Sequence, residues 1–87
     1  MKYMLCALAA LACAWTACAG GTKIVLIAGP PSHGPGDHEH RAGCLLLKSC
    51  LDKVPGVTAE VYSNGWPQNA EAALAGAATL VVYSDGG

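Results

Sequence analysis

All three histidines of the 87-residue chain fall within one short stretch, His33, His38 and His40, with Asp37 and Glu39 interleaved. Imidazoles change charge near neutral pH, and beside carboxylates they serve as acids, bases or transition-metal ligands. A second polar group, Ser84-Asp85-Gly86-Gly87, follows an apolar run at the other end of the chain. Glycines there let backbone amides turn toward a ligand and form an anion or oxyanion site, although a plain tight turn uses the same letters.

A metal needs at least three converging ligands. The histidine spacing matches no specific metal signature. If residues 38 and 40 both open a helix, their side chains diverge by about 200°. The leading reading therefore assigns no metal and no cofactor, and casts His33, Asp37, His38, Asp85, Gly86 and Gly87 as binding residues for a small molecule. The duller reading has His38 and Glu39 shielding a helix start, His40 solvated and His33 alone facing a cleft. Gly29, Gly34 and Gly36 fit neither the dinucleotide fingerprint nor the Lys-containing phosphate loop. Pro30, Pro31 and Pro35 also remove amide donors that a phosphate would use, so nucleotide binding is not expected.

The elements that must position these groups alternate. In residues 22–29, Lys23 is followed by an unbroken aliphatic run ended by Gly29, the pattern of a strand covered on both faces. Residues 32–40 are polar and glycine-containing and read as a loop. From 39 to 54, Ala42, Leu46, Leu47, Cys50, Leu51 and Val54 recur at spacings of three and four, predicting an amphipathic helix capped by Asp37 and stopped by Pro55-Gly56. Residues 57–62 alternate as a half-buried edge strand, 70–78 read as an alanine-rich helix capped by Asn69, and 79–84 as a second continuous buried strand. The order strand, helix, strand, helix, strand predicts an α/β fold: an open parallel flavodoxin-like sheet with right-handed crossovers and helices on both faces. In such sheets ligands bind at the carboxyl ends of the strands, where both polar groups fall.

The amino terminus has a basic start, an apolar run over residues 4–15 and small residues in Ala17-Cys18-Ala19, the order of a secretory signal peptide over 1–19 with residues 20–87 following as one domain. The apolar run is short against the roughly 20 residues that span a bilayer, so no stable membrane span is expected. Cys13 and Cys18 follow small residues as lipoprotein cysteines do, but both lack leucine three places upstream, and cleavage after Ala19 with export to the periplasm or outside is preferred. With Lys2 gone, four Lys and Arg face six Asp and Glu. Nothing in that balance invites nucleic acid. Cys44 and Cys50 remain; six residues of helix rise about 9 Å, beyond the roughly 7 Å limit for a disulfide between them. The 68 residues (87 less 19) are few for a self-sufficient core. They are therefore expected to be a piece of a larger sheet, poorly folded and aggregation-prone when expressed alone.

Taken in order, the first strand, Ser32-His33-Gly34-Pro35-Gly36-Asp37-His38, Arg41-Ala42-Gly43 with its leucine-rich helix, Gly65-Trp66-Pro67 and Tyr83-Ser84-Asp85-Gly86-Gly87 resemble exported ThuA-like (trehalose-utilisation) proteins. The resemblance covers essentially everything after the leader. It implies a class I glutamine amidotransferase-like fold, a link to sugar or trehalose utilisation, and a backbone oxyanion-type turn at the glycine pair. It also implies a nucleophile elbow later in the chain than Gly87; Cys44, in mid-helix, does not stand at one. The expectation is a sugar-binding or sugar-processing domain, with Trp66 or Tyr83 as a stacking surface. The alternative is a non-catalytic binding or scaffold module of an exported multi-domain protein.

Overall fold

The computed structural model describes residues 21–85; the expected leader, and Gly86 and Gly87, lie outside the described residues. Strand β1 (Thr22–Ala28), helix α1 (His40–Leu51), strand β2 (Val57–Tyr62), helix α2 (Ala70–Leu74) and strand β3 (Ala77–Tyr83) follow one another. All pairings are parallel, and the order across the sheet is β2-β1-β3. This is the open α/β arrangement of flavodoxin-like folds. Among the described residues no helix is long and apolar enough to cross a membrane.

The run of β-branched and aliphatic residues in β1 occupies the centre of the sheet, where both faces are covered. Val25, Leu26, Ile27 and Ala28 are accordingly buried. Register places Leu26 between Val61 of β2 and Val81 of β3, and this row, with Ile24, Ala28 and Ala59, meets Cys44 and Leu51 of α1. Lys23 and Glu60 point to the other face, where Lys23 Nζ donates to Ala75 O at 3.1 Å just past α2. The two helices therefore cover opposite faces, as right-handed crossovers running in opposite directions from β1 require.

Four sequence expectations are corrected. The face of α1 that packs on the sheet carries His40, Gly43, Cys44 and Leu51, not Ala42, Leu46 and Cys50; Leu46 is 68% exposed. Leucines at 45, 46 and 47 leave the apolar stripe ambiguous, and Gly43 resolves it. Its missing side chain admits the Tyr83 ring, which a Cβ would meet at 2.7 Å. The cap of α1 is Glu39 without a side-chain cap bond, not Asp37. Helix α2 ends at Leu74 rather than 78, because Ala75 turns extended and Gly76 adopts φ 74°, which returns Ala77 and Ala78 to β3. Strand β3 is also more open than its apolar run suggests, with Val82 52% exposed, since β1 is its one strand neighbour among the described residues. The Asn69 cap is present, its Oδ1 accepting from Ala72 N at 3.2 Å.

The carboxyl end of α1 is latched to β2. Lys48 Nζ donates to Asp52 Oδ2 at 2.6 Å and to Ala59 O at 2.8 Å, while Asp52 Oδ1 accepts from Ala59 N at 3.1 Å. The Lys48 hydrogen bond, then the Ala59 amide, hold the Asp52 carboxyl below its ordinary 3.8. A depressed folded value contributes stability that is present above the ordinary value and is lost as pH falls through the folded one. The stability gap between the wild type and Asp52→Asn is thus expected to narrow below about pH 4 in thermal unfolding. A gap constant from neutral pH into strong acid contradicts this assignment.

Candidate functional site at the ends of β1 and β3

In the order β2-β1-β3 the chain leaves β1 toward β2 and later crosses back to β3, so the carboxyl ends of β1 and β3 form the switch point where ligands bind in such sheets. Gly29 makes the two ends touch. Its amide donates to Tyr83 O at 2.9 Å, and a Cβ there would stand 2.5 Å from Ser84 Oγ and 3.2 Å from Ser84 Cα. Only glycine allows this approach, and it brings Asp85 beside the loop that follows β1.

That loop folds back on itself. Ser32 and His38 form an isolated antiparallel bridge. Across the tip, Asp37 N donates to Gly34 O at 3.1 Å and Gly36 N to Glu39 Oε1 at 2.7 Å. The bridge sets Ser32 and His38 side by side facing Asp85, and His33 takes the left-handed φ of 61°, which histidine, like asparagine and aspartate, adopts more readily than most residues.

Asp85 is the hub. Its Oδ2 accepts from Ser32 Oγ at 2.6 Å and lies 3.0 Å from His38 Nδ1 and 3.4 Å from His33 Nε2. The Ser32 hydroxyl first, and the His38 imidazole second, pull its carboxyl down to about 2. It is therefore ionised throughout the neutral range. The His33 and His38 rings meet edge to face with centroids 4.4 Å apart, and both remain open to solvent.

His40 is the residue that sequence reasoning misplaced. It is 2% exposed rather than solvated, with Nδ1 3.0 Å from Pro30 O, its ring edge-on to Tyr83 at 4.8 Å and its Nε2 3.9 Å from Asp85 Oδ1. The signal was available, because His40, Cys44 and Leu51 share one helical face. Ser32 was missed too, and no spacing marks it: its role comes from the bridge that closes the loop. Of the residues expected to bind, His33, His38 and Asp85 are brought together, whereas the exposed Asp37 stays in the loop-tip turn and contributes its amide there. Gly86 and Gly87 lie outside the described residues.

Chemically, the cluster is not a serine nucleophile with its base. Such a triad places serine on one imidazole nitrogen and the carboxylate on the other. Here Ser32 gives its proton to Asp85 directly, and both groups sit at Nδ1 of His38, with Ser32 Oγ 3.4 Å away. Cys44 is buried in α1, where burial pushes its thiol up and away from thiolate chemistry. What remains is an ionised acceptor flanked by two accessible imidazoles, suited to hydrogen bonding, proton transfer through the His38 ring, or metal ligation. His38 also forms a wall between two clefts, one of about 160 Å³ reaching Glu39, Arg41 and Asn64, the other of about 210 Å³ reaching His33 and Pro35. Trp66, 62% exposed, borders a groove with Gly29 and Ser84 on the α2 face, while the Tyr83 ring is engaged by Gly43 and His40. Of the two aromatics, Trp66 is the one placed to stack.

The fold and cluster define an open parallel α/β chain with a carboxylate–imidazole site at its switch point. No family model matches the chain, and comparison with curated proteins and with solved structures finds no match.

Proposed function

We propose that this chain supplies the ligand-binding edge of an exported, ThuA-like, carbohydrate-related domain, and that a sugar ring is bound at the β1/β3 switch point. The observation that carries the reading is the convergence of His33, His38 and Ser32 on the Asp85 carboxylate beside the clefts. A neutral polyol presents hydroxyls that donate to an ionised carboxylate and accept from imidazole N–H groups. The clefts of about 160 and 210 Å³ suit one ring rather than the drug-sized ligands that fill about 300 Å³ or more. Trp66 offers an apolar face in a separate groove that shares Gly29 with the first cleft.

Calorimetric titration of the purified protein with trehalose and with its constituent monosaccharide is expected to give saturable binding that weakens at least about tenfold in Asp85→Ala, the cost of one charge-assisted hydrogen bond or more. Binding undiminished in the His33→Ala/Asp85→Ala double variant sinks the site assignment.

A second reading, binding without turnover, is favoured by two observations: the Ser32 proton is committed to Asp85, and Cys44 is buried. A product assay on the same sugars separates the two, since the module binds and releases them unchanged.

A further inference from the structure

His40 presents a problem that its neighbours do not solve. Nδ1 faces the Pro30 carbonyl, which only accepts, so Nδ1 carries the proton. In the neutral ring Nε2 then holds a lone pair, yet it is buried without a hydrogen-bond partner among the described residues and faces Asp85 Oδ1, another acceptor, at 3.9 Å. A buried lone pair turned toward a carboxylate oxygen calls for a proton or another cation at the gap.

The same carboxylate carries two more imidazoles. One ligand atom each from His33, His38 and Asp85 lie within 4.8 Å of one another, and the two nitrogens stand 3.4 and 3.0 Å from Asp85 Oδ2. Ligands about 2.0–2.1 Å from a tetrahedral ion stand about 3.3 Å apart, so these spacings approach those of a coordination shell. The support that a ligating carboxylate uses is also present, since Ser32 hydrogen-bonds Asp85. The sequence argument against a metal rested on His38 and His40 diverging along one helix. In the structure His38 precedes α1 and sits in the loop bridge, so that divergence does not arise.

We propose that Asp85, His33 and His38 bind a divalent first-row transition-metal ion, with the buried Nε2 of His40 facing the other oxygen of the same carboxylate. Two imidazoles and one carboxylate are a donor set of zinc or iron rather than of magnesium or calcium, which take oxygen ligands. The inference rests on the ligand atoms and not on the sugar reading.

The test uses untagged, chelator-stripped full chain, titrated with zinc chloride by calorimetry and with cobalt(II) by visible absorption. About one equivalent is expected to bind, with cobalt bands of low coordination number. His33→Asn keeps the left-handed backbone that asparagine tolerates, so it removes a ligand without disturbing the fold; it and Asp85→Asn are each expected to weaken zinc binding about 100-fold or more. His40→Gln, which removes no ligand, is expected to weaken zinc binding less than His33→Asn does. Substoichiometric zinc on the wild type, or unchanged affinity in His33→Asn, overturns the proposal, the latter even if Asp85→Asn fails to fold. Sugar is absent from these titrations and chelator is present in the sugar ones, so each reading fails on its own result.

Discussion

Gly29→Ala is expected to cost about 3 kcal/mol of stability, at the upper end of overpacking effects, and to dismantle the Asp85 cluster. The added methyl would meet not only Ser84 Oγ at 2.5 Å but also Ser84 Cβ at 2.7 Å and Cα at 3.2 Å. A hydroxyl can rotate away; a neighbouring strand's backbone cannot. Relief requires the carboxyl ends of β1 and β3 to part, which strains the Gly29–Tyr83 hydrogen bond and carries Asp85 away from Ser32. For a domain of this size about 3 kcal/mol corresponds to a fall of roughly 12 °C or more in Tm. Gly34→Ala is the control, because a Cβ there meets only Asp37 Oδ2 at an ordinary 3.4 Å, and it is expected to stay within about 0.5 kcal/mol of wild type. Equal melting temperatures for the two variants contradict the close-approach account.

His40→Ala is expected to cost about 2–3 kcal/mol, through the cavity left beneath Tyr83 and the lost bond to Pro30 O. His40→Phe refills the space and keeps the edge-to-face contact, so most of that stability is expected to return. Ligand binding is not expected to return with it, since phenylalanine has nothing to offer the gap beside Asp85. Thermal melts and calorimetry on the two variants check both halves. If His40→Phe binds like the wild type, His40 is a packing residue and no part of the site.

The sheet was legible because its signals are local and redundant. Residues 24–28 are apolar without interruption, the pattern of a doubly covered strand, and the crossover rule then places α1 and α2 on opposite faces of a parallel sheet. The same topology told that His33, His38 and Asp85 would meet, since the loops after β1 and β3 share one end of the sheet. The face of α1 was not legible: Leu45, Leu46 and Leu47 put apolar side chains around most of the helix, and the deciding contact, Gly43 on Tyr83, joins residues forty apart. His40 opens the buried face, and its spacing to Cys44 and Leu51 was the sequence signal that placed it there. Asp37 and Glu39 show a different limit. Both are acidic residues just before a helix, and the loop bridge, rather than composition, decides that Glu39 ties the loop tip at Gly36 while Asp37 turns outward. The Lys48–Asp52 latch reads in sequence as an ordinary i,i+4 surface pair; its two bonds to Ala59 appear only once β2 lies alongside.

Histidine-selective NMR of the protein during titration with trehalose tests most directly the claim that the Asp85-centred cluster is where ligand binds. The imidazole signals of His33 and His38 are expected to move together and saturably, and to stay still in Asp85→Ala at the same sugar concentration. Imidazole signals that never move while sugar binding is detected by calorimetry, or that move as far in Asp85→Ala as in the wild type, would place the ligand elsewhere and contradict the account.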